Sequence, residues 1–296
     1  MCPLFRGKLI AYAELGEHRK SIDYYERSLR LRKEKGVDTS QSTILTNLGV
    51  GYLNLGNISK ALEYHQRHLA IAREARNFNE EGIALGNLGV VYYYQGDYEA
   101  ALESHRHNLE IARMIHNQRG EATSLLNIGI VQYAQKDYTQ ALDTFDESLR
   151  IFRELADILG MSNVLGNMAS VFADQKELVK AISYYESAYE LAAQSGDQQN
   201  IAAWSGNLGL IQSELGNYKE AIRLYRKQLG IARNISDKYI EGVALFNMGI
   251  AQEKLGRQRI AVKNCKAGLG ILKSMGHADA TKMERQFSRL FPNHVP

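Results

Sequence analysis

Histidine, cysteine and carboxylate side chains are the groups in this chain best suited to chemistry, and their spacing decides whether they perform any. His65 and His68 stand three residues apart, and His105 and His107 follow. A zinc ion would need further ligands in tetrahedral array. His65 and His105 instead occupy a column filled elsewhere by Tyr25, Phe145, Tyr185, Tyr225 and Cys265. A position that takes phenylalanine, tyrosine and cysteine alike is one that packs between helices, so no metal site is expected. Cys265 reads as a small buried hydrophobe and Cys2 as a terminal thiol; nothing suggests a disulfide framework. Asp143 and Asp146 share a helix face better explained by solvation. No serine, cysteine or histidine combination stands out, and no glycine loop follows a strand to cradle phosphate. No catalytic residue, metal ligand or cofactor is expected.

The polar residues that recur are amides. Asn47, Asn87, Asn127, Asn167, Asn207 and Asn247 follow one another every 40 residues. A carboxamide offers one acceptor and two donors, so such a column can pair with the backbone of an extended peptide of any sequence. Asparagine is a mediocre residue inside a helix, so its recurrence needs a cause. The alternative cause is bonding between neighbouring helices. Tyr93 and Tyr133 add aromatic surface along the same helices, of the kind that anchors partners. Gly86, Gly166 and Gly206 leave room for a close backbone approach. Val50, Val90, Ile130, Leu210 and Ile250 supply an apolar wall. Asp174, Glu214 and Glu253, opposed by Lys254 alone, would suit a basic peptide or form a solvated face. A second column, Lys33, Arg73, Arg113, Arg153, Arg233 and Lys273, is interrupted by Ala193. It would face an acidic partner or lay its long stems along the core.

These columns require a scaffold of fixed period. Ala61, Ala101, Ala141, Ala181, Ala221 and Ala261 keep the same 40-residue register, as do Leu29, Leu69, Leu109, Leu149, Tyr189, Leu229 and Leu269. Within a period the apolar spacing is helical: Leu45, Leu48, Gly49 and Tyr52, then Ala61, His65, Leu69 and Ala72. Each period is therefore two helices, A and B. Between them a turn is expected at Gly16, Gly56, Gly96, Gly216 and Gly256, with Lys136 and Lys176 as replacements in a left-handed conformation. The next unit begins at Asn77, Asn117, Asp157, Asp197 and Asp237, all good N-caps; only Asn77 and Glu80 could form a capping box. Gly49 and Ala61 are small because helices A and B cross there. One helix pair leaves an apolar face open, so the pairs must stack. The stack runs through units at about 1–36, 37–76, 77–116, 117–156, 157–196, 197–236 and 237–276. Gly7-Lys8-Leu9 makes the first helix A degenerate. Ala280, Met283, Phe287 and Leu290 form a stripe that closes the stack as a capping helix at about 278–291.

The Leu-Gly, Tyr, Ala and Leu positions resemble those of tetratricopeptide repeats across roughly residues 8 to 291. The usual repeat has 34 residues and a proline near its end. Here the period is 40 and all three prolines, at 3, 292 and 296, lie near the ends. That departure resembles the long-repeat subclass of Pins, kinesin light chain and many bacterial sensors. The resemblance implies an all-α, right-handed superhelical solenoid: about seven helix-turn-helix units plus a C-terminal capping helix, 1–296 forming a single solenoid. It also implies that helix A, with its asparagines, lines a concave groove. The carboxylate-clamp mode of the family lacks its basic partners on helix A.

The function expected is non-catalytic: a scaffold holding an extended or short helical segment of a protein or peptide partner. The alternative is a regulatory or sensor domain controlling an output domain or partner absent from this chain. The net charge of +3 is far from the excess of a nucleic-acid binder. No apolar run reaches the length that spans a bilayer, and Met1 to Gly16 lacks a secretory segment. A cytoplasmic monomer is the expectation.

Overall fold

The structure, a computed structural model, describes residues 15–34 and 41–294. Gly7-Lys8-Leu9 and Cys2 lie outside them. Among the described residues there are fourteen α-helices and no strand. They are α1 (Leu15–Glu34), α2 (Gln41–Asn54), α3 (Ile58–Glu74), α4 (Phe78–Gln95), α5 (Tyr98–Met114), α6 (Gln118–Ala134) and α7 (Tyr138–Glu154). Then follow α8 (Ile158–Asp174), α9 (Leu178–Ser195), α10 (Gln198–Glu214), α11 (Tyr218–Asn234), α12 (Lys238–Lys254), α13 (Gln258–Ser274) and α14 (Asp279–Leu290). A 3-10 turn, Pro292–His294, ends the described chain. Even-numbered helices from α2 to α12 are A helices and odd-numbered ones from α3 to α13 are B helices. Gly16, expected in a turn, lies instead in the first turn of α1.

The described turns from α2 onward close in the same way. Gly56 is left-handed (φ 75°), and its N–H donates to Leu53 O while the next N–H, of Asn57, donates to Tyr52 O. That pair of bonds is a Schellman closure, which satisfies carbonyls a helix end would leave orphaned. The residue that closes one helix then opens the next. Asn77 donates its N–H to Ala72 O and accepts from Glu80 N–H through Oδ1. Asn57, Asp97, Asn117, Asp137, Asp157, Asp197 and Asp237 cap in the same manner. Proline, with no N–H, could not take this double role. Lys136 and Lys176 do adopt the left-handed conformation, at φ 65° and 64°. The unit-to-unit turns need it too, at Arg76, His116, Ala156 and Ser236, which the amino-acid types did not disclose. The Asn77–Glu80 box closes on one side only, because the Glu80 carboxylate turns to His68 Nε2 at 2.8 Å.

The chain forms two compact units, 2–171 and 172–296. In both, helix A crosses helix B at a glycine. A Cβ at Gly49 would lie 2.4 Å from the His65 ring, and one at Gly129 2.6 Å from Phe145 Cε1. In the second unit Gly209 faces Tyr225 and Gly249 faces Cys265 in the same way. The glycine column thus exists to seat a side chain from helix B. Sizes compensate across a second contact: Gly206 makes room for Gln228, whereas Phe246 lies over Gly268. At the C-terminal end α14 buries Ala280 and Phe287 as expected, and Phe291 joins them with its ring 5.1 Å from that of Phe287.

Candidate partner-binding surface

Helices A of consecutive units pack side by side, α4 against both α2 and α6, and α10 against α12. In the 2–171 unit this row contains a groove of about 380 Å³ between α4 and α6, floored by α5. Phe78, Ile83 and Val90 give it apolar wall; Asn87, Asn127 and Asn108 give it amides. Phe78 and Ile83, 46% and 43% exposed, both line this one groove. Solvent-facing apolar surface beside polar groups is what a partner site presents.

Two of the six expected asparagines, Asn87 and Asn127, therefore meet in one groove. Neither has a hydrogen-bond partner among the described residues, nor does Asn108. Asn47 and Asn247 are half-buried on their own A helices. Asn167 differs: it is fully buried, and its Nδ2 donates to Asn163 O of its own helix at 2.8 Å. Its amide serves α8 rather than an open surface. Asn207 is 9% exposed, and its Nδ2 has no partner among the described residues, like Oε1 of Gln228. Tyr93 and Tyr133 are half-buried. Their rings lean on Tyr98 and Tyr138 at 5.8 and 6.1 Å, across the turn into helix B. Val50 and Leu210 of the expected apolar wall are exposed, whereas Ile130 is buried.

Asn108 was not visible as a site residue. Its column reads Ser28, His68, Asn108, Ser148, Ala188, Gln228 and Gly268, with serine alone repeated. The room that Gly86 was expected to leave for a partner backbone is taken by this side chain, whose Nδ2 would lie 3.0 Å from a Cβ at Gly86. Gly206 is filled likewise by Gln228. The signal for Asn108 was indirect: Gly82 and Gly86 stand one turn apart on α4.

The charged columns are largely engaged within the chain. Arg73, Arg113 and Arg233 pair with the glutamate eight residues on, Glu81, Glu121 and Glu241, at 2.8, 2.7 and 2.9 Å. Each pair ties the end of a B helix to the next A helix. Lys273 pairs with Glu284 of α14. These arginines tie the joins between units. The acidic group Asp174, Glu214 and Glu253 has more opposition than Lys254, since Lys176 bonds Glu214 at 2.7 Å. Arg119 at the groove rim is held by Asp157 at 2.9 Å. His65 and His105 are buried, and burial pushes both imidazoles down to about 4, the neighbouring His68 adding to the effect at His65. Among the described residues no three histidine, cysteine or acidic side chains could hold a metal ion. None of the described helices is long and apolar enough to cross a membrane.

Paired helices in fixed register around small crossing residues define a helical-repeat protein. The chain belongs to the tetratricopeptide repeat family, whose sequence model matches residues 10–74, 80–154, 160–234 and 201–274. No curated protein matches it. Among solved structures it is similar to the apo form of RapI, with TM-score 0.67 and 17% identity over 92% of this chain and 98% of that one. It is similar to BtubC (BKLC) from P. vanneervenii, with TM-score 0.64 and 17% identity over 74% and 92%. A third is the apo quorum sensor NprR from B. thuringiensis, with TM-score 0.60 and 17% identity over 95% and 86%. At such identity the likeness establishes a solenoid of tetratricopeptide type and nothing finer.

Proposed function

We propose that this protein is a non-catalytic interaction scaffold that holds a peptide segment of a partner protein, extended or short and helical, against its A helices. The single observation that carries the reading is the α4–α6 groove. There Asn87, Asn108 and Asn127 bring unpartnered amides together beside the exposed Phe78 and Ile83. An amide that gains a peptide partner in a partly desolvated groove contributes orientation and register, while the apolar pair contributes most of the affinity. Tyr93 and Tyr133, like Asn47, Asn207 and Asn247, extend the surface along the neighbouring A helices. In this reading the chain is of the long-repeat subclass similar to Pins and kinesin light chain, which the 40-residue period supports. It acts as a cytoplasmic monomer, and its charge of +3 gives no basis for nucleic-acid binding.

The test is capture from source cells with the parent protein and with an Asn87→Ala, Asn127→Ala double variant of unchanged helix content. A partner held by the parent and lost by the variant supports the groove. A partner held equally by both removes it.

A second reading is regulation of an output domain or partner absent from this chain. It is favoured by the extent of the likeness to the quorum sensor NprR, which takes in 95% of this chain. Binding of a short free peptide, with no captured protein, would favour that reading over a scaffold.

A further inference from the structure

We propose that the exposed face of α11 and α13 docks an acidic α-helix of a protein partner, whose carboxylates meet a run of cations and whose backbone comes close at Gly230 and Gly270. This surface belongs to the 172–296 unit and stands independently of the α4–α6 groove.

The starting point is a stripe on each B helix, spaced alternately by four and three residues, which keeps its side chains on one face. On α11 it reads Lys219, Arg223, Arg226, Gly230 and Arg233. On α13 it reads Arg259, Lys263, Lys266, Gly270 and Lys273. All of these positions are exposed, and none holds an acid or an aromatic ring. Both helices pack against α12. The same stripe carries Glu186 and Glu190 on α9, and Glu99, Glu103 and Glu110 on α5. No acidic residue occurs in α13, and the one acid of α11, Glu220, is held by Arg223 at 2.6 Å. Arg233 and Lys273 are engaged within the fold by Glu241 and Glu284. Lys266 lies over the Phe287 ring, 6.0 Å from its centroid. Lys219, Arg226, Arg259 and Lys263 pair with no acid among the described residues.

A run of cations alone describes a solvated face. Solvation does not explain the glycines. Glycine inside a helix destabilises it relative to alanine, so it belongs where something must come close. Inside the fold the reason is visible, since Gly209 seats Tyr225 and Gly249 seats Cys265. A Cβ at Gly230 or Gly270 would meet nothing within 4 Å. Both bare their backbone to solvent at the same place in consecutive units, four residues after one cation and three before the next. A helix laid along the stripe from outside can rest there, its side chains entering the gap as those of helix B enter helix A. Carboxylates set at the same intervals on that helix rise by about 6 and 4.5 Å, in step with the cations. The ammonium and guanidinium N–H groups then donate charge-assisted hydrogen bonds to them.

Other anionic occupants fit less well. A nucleic-acid strand would find no ring on the stripe on which to stack a base. A membrane surface needs an apolar face to insert, and Ile260 is the one exposed large apolar side chain on either helix. A second copy would bring the α5 stripe, which Arg106 and Arg113 interrupt.

The experiment is fluorescence anisotropy of the full chain with a labelled alanine-based peptide of about twenty residues, its glutamates set at four-and-three intervals along one face. A second peptide has the same composition with the glutamates scattered round the helix. A single-stranded oligonucleotide and phosphatidylserine vesicles are the other probes, and helix content is checked for each variant. The parent should bind the striped peptide about tenfold more tightly than the scattered one, the worth of two or three exposed ion pairs, and lose that margin in high salt. The Lys219→Glu, Lys263→Glu double variant should abolish binding. The Gly230→Leu, Gly270→Leu double variant should weaken it by about tenfold with no fall in melting temperature, because leucine favours the helix and meets nothing there. Equal affinity for the two peptides, or binding untouched by the leucine pair, would overturn the proposal. So would tighter binding of the oligonucleotide or the vesicles, or salt-sensitive self-association of the parent that the glutamate pair abolishes, since each gives the face to another occupant.

Discussion

The imidazole of His105 lies directly over Gly89, so that a Cβ there would fall 2.4 Å from Cε1. Both ring nitrogens are buried without a hydrogen-bond partner among the described residues. The ring does the work that Phe145 does one period later over Gly129, but it can take a proton. His65 over Gly49 is its counterpart.

Acid should therefore weaken the helix crossings of α2–α3 and α4–α5. Burial holds both imidazoles down at about 4, against 6.5 when the chain is unfolded. The unfolded chain takes the proton first, so stability present above about 6.5 drains as pH falls towards 4, at up to about 1.4 kcal/mol per pH unit for each histidine. Asp237 in the 172–296 unit works the other way. Burial pushes its carboxyl up to about 6 from 3.8, so its share is present at low pH and is lost as pH rises through 6. Melting of the His65→Phe, His105→Phe double variant should lose the fall that the parent shows between pH 7 and 5, leaving the opposite trend of Asp237. Equal slopes would show that the two rings do not set the acid response.

Six turns among the described residues carry a non-glycine residue at backbone angles that favour glycine, and two of them serve as tests. Ala156 sits at φ 50° and Lys136 at φ 65°. An L side chain in that conformation costs on the order of 1 kcal/mol, which glycine avoids. Ala156→Gly and Lys136→Gly should each raise the melting temperature. A fall in both would mean that the unfolded chain's gain in freedom outweighs the relief.

Glycines inside helices should divide by what lies opposite. Gly129→Ala drives a methyl to 2.6 Å from Phe145, a fully buried ring, and should destabilise by about 1–3 kcal/mol. Gly230 in α11 meets nothing within 4 Å, so Gly230→Ala should stabilise by about 0.5–1 kcal/mol. Denaturant unfolding of the two variants settles the matter; equal effects would refute the crossing geometry.

The architecture was legible because it repeats. A side chain that caps, such as Asn77, or crosses, such as Gly49, needs only its own type and its place in the period to be understood. What escaped depends on two helices at once. Whether Gly86 leaves open space or seats Asn108 is decided by a side chain twenty-two residues away whose column shows no pattern. Arg113 could be read as a free basic column until Glu121 and Glu147 closed on it. Asn167 has the same type and register as Asn127, yet only packing shows that it is fully buried. The unit-to-unit turns hid their left-handed residues because arginine, histidine, alanine and serine do not advertise that conformation.

The central claim is that partners meet the A helices at the α4–α6 groove. Amide hydrogen exchange of the protein alone, and with a captured partner, tests it most directly. Slowed exchange is predicted to centre on Phe78–Gln95 and Gln118–Ala134, with α5 changed less. Protection confined to B helices such as Tyr138–Glu154, with α4 and α6 unchanged, would contradict it.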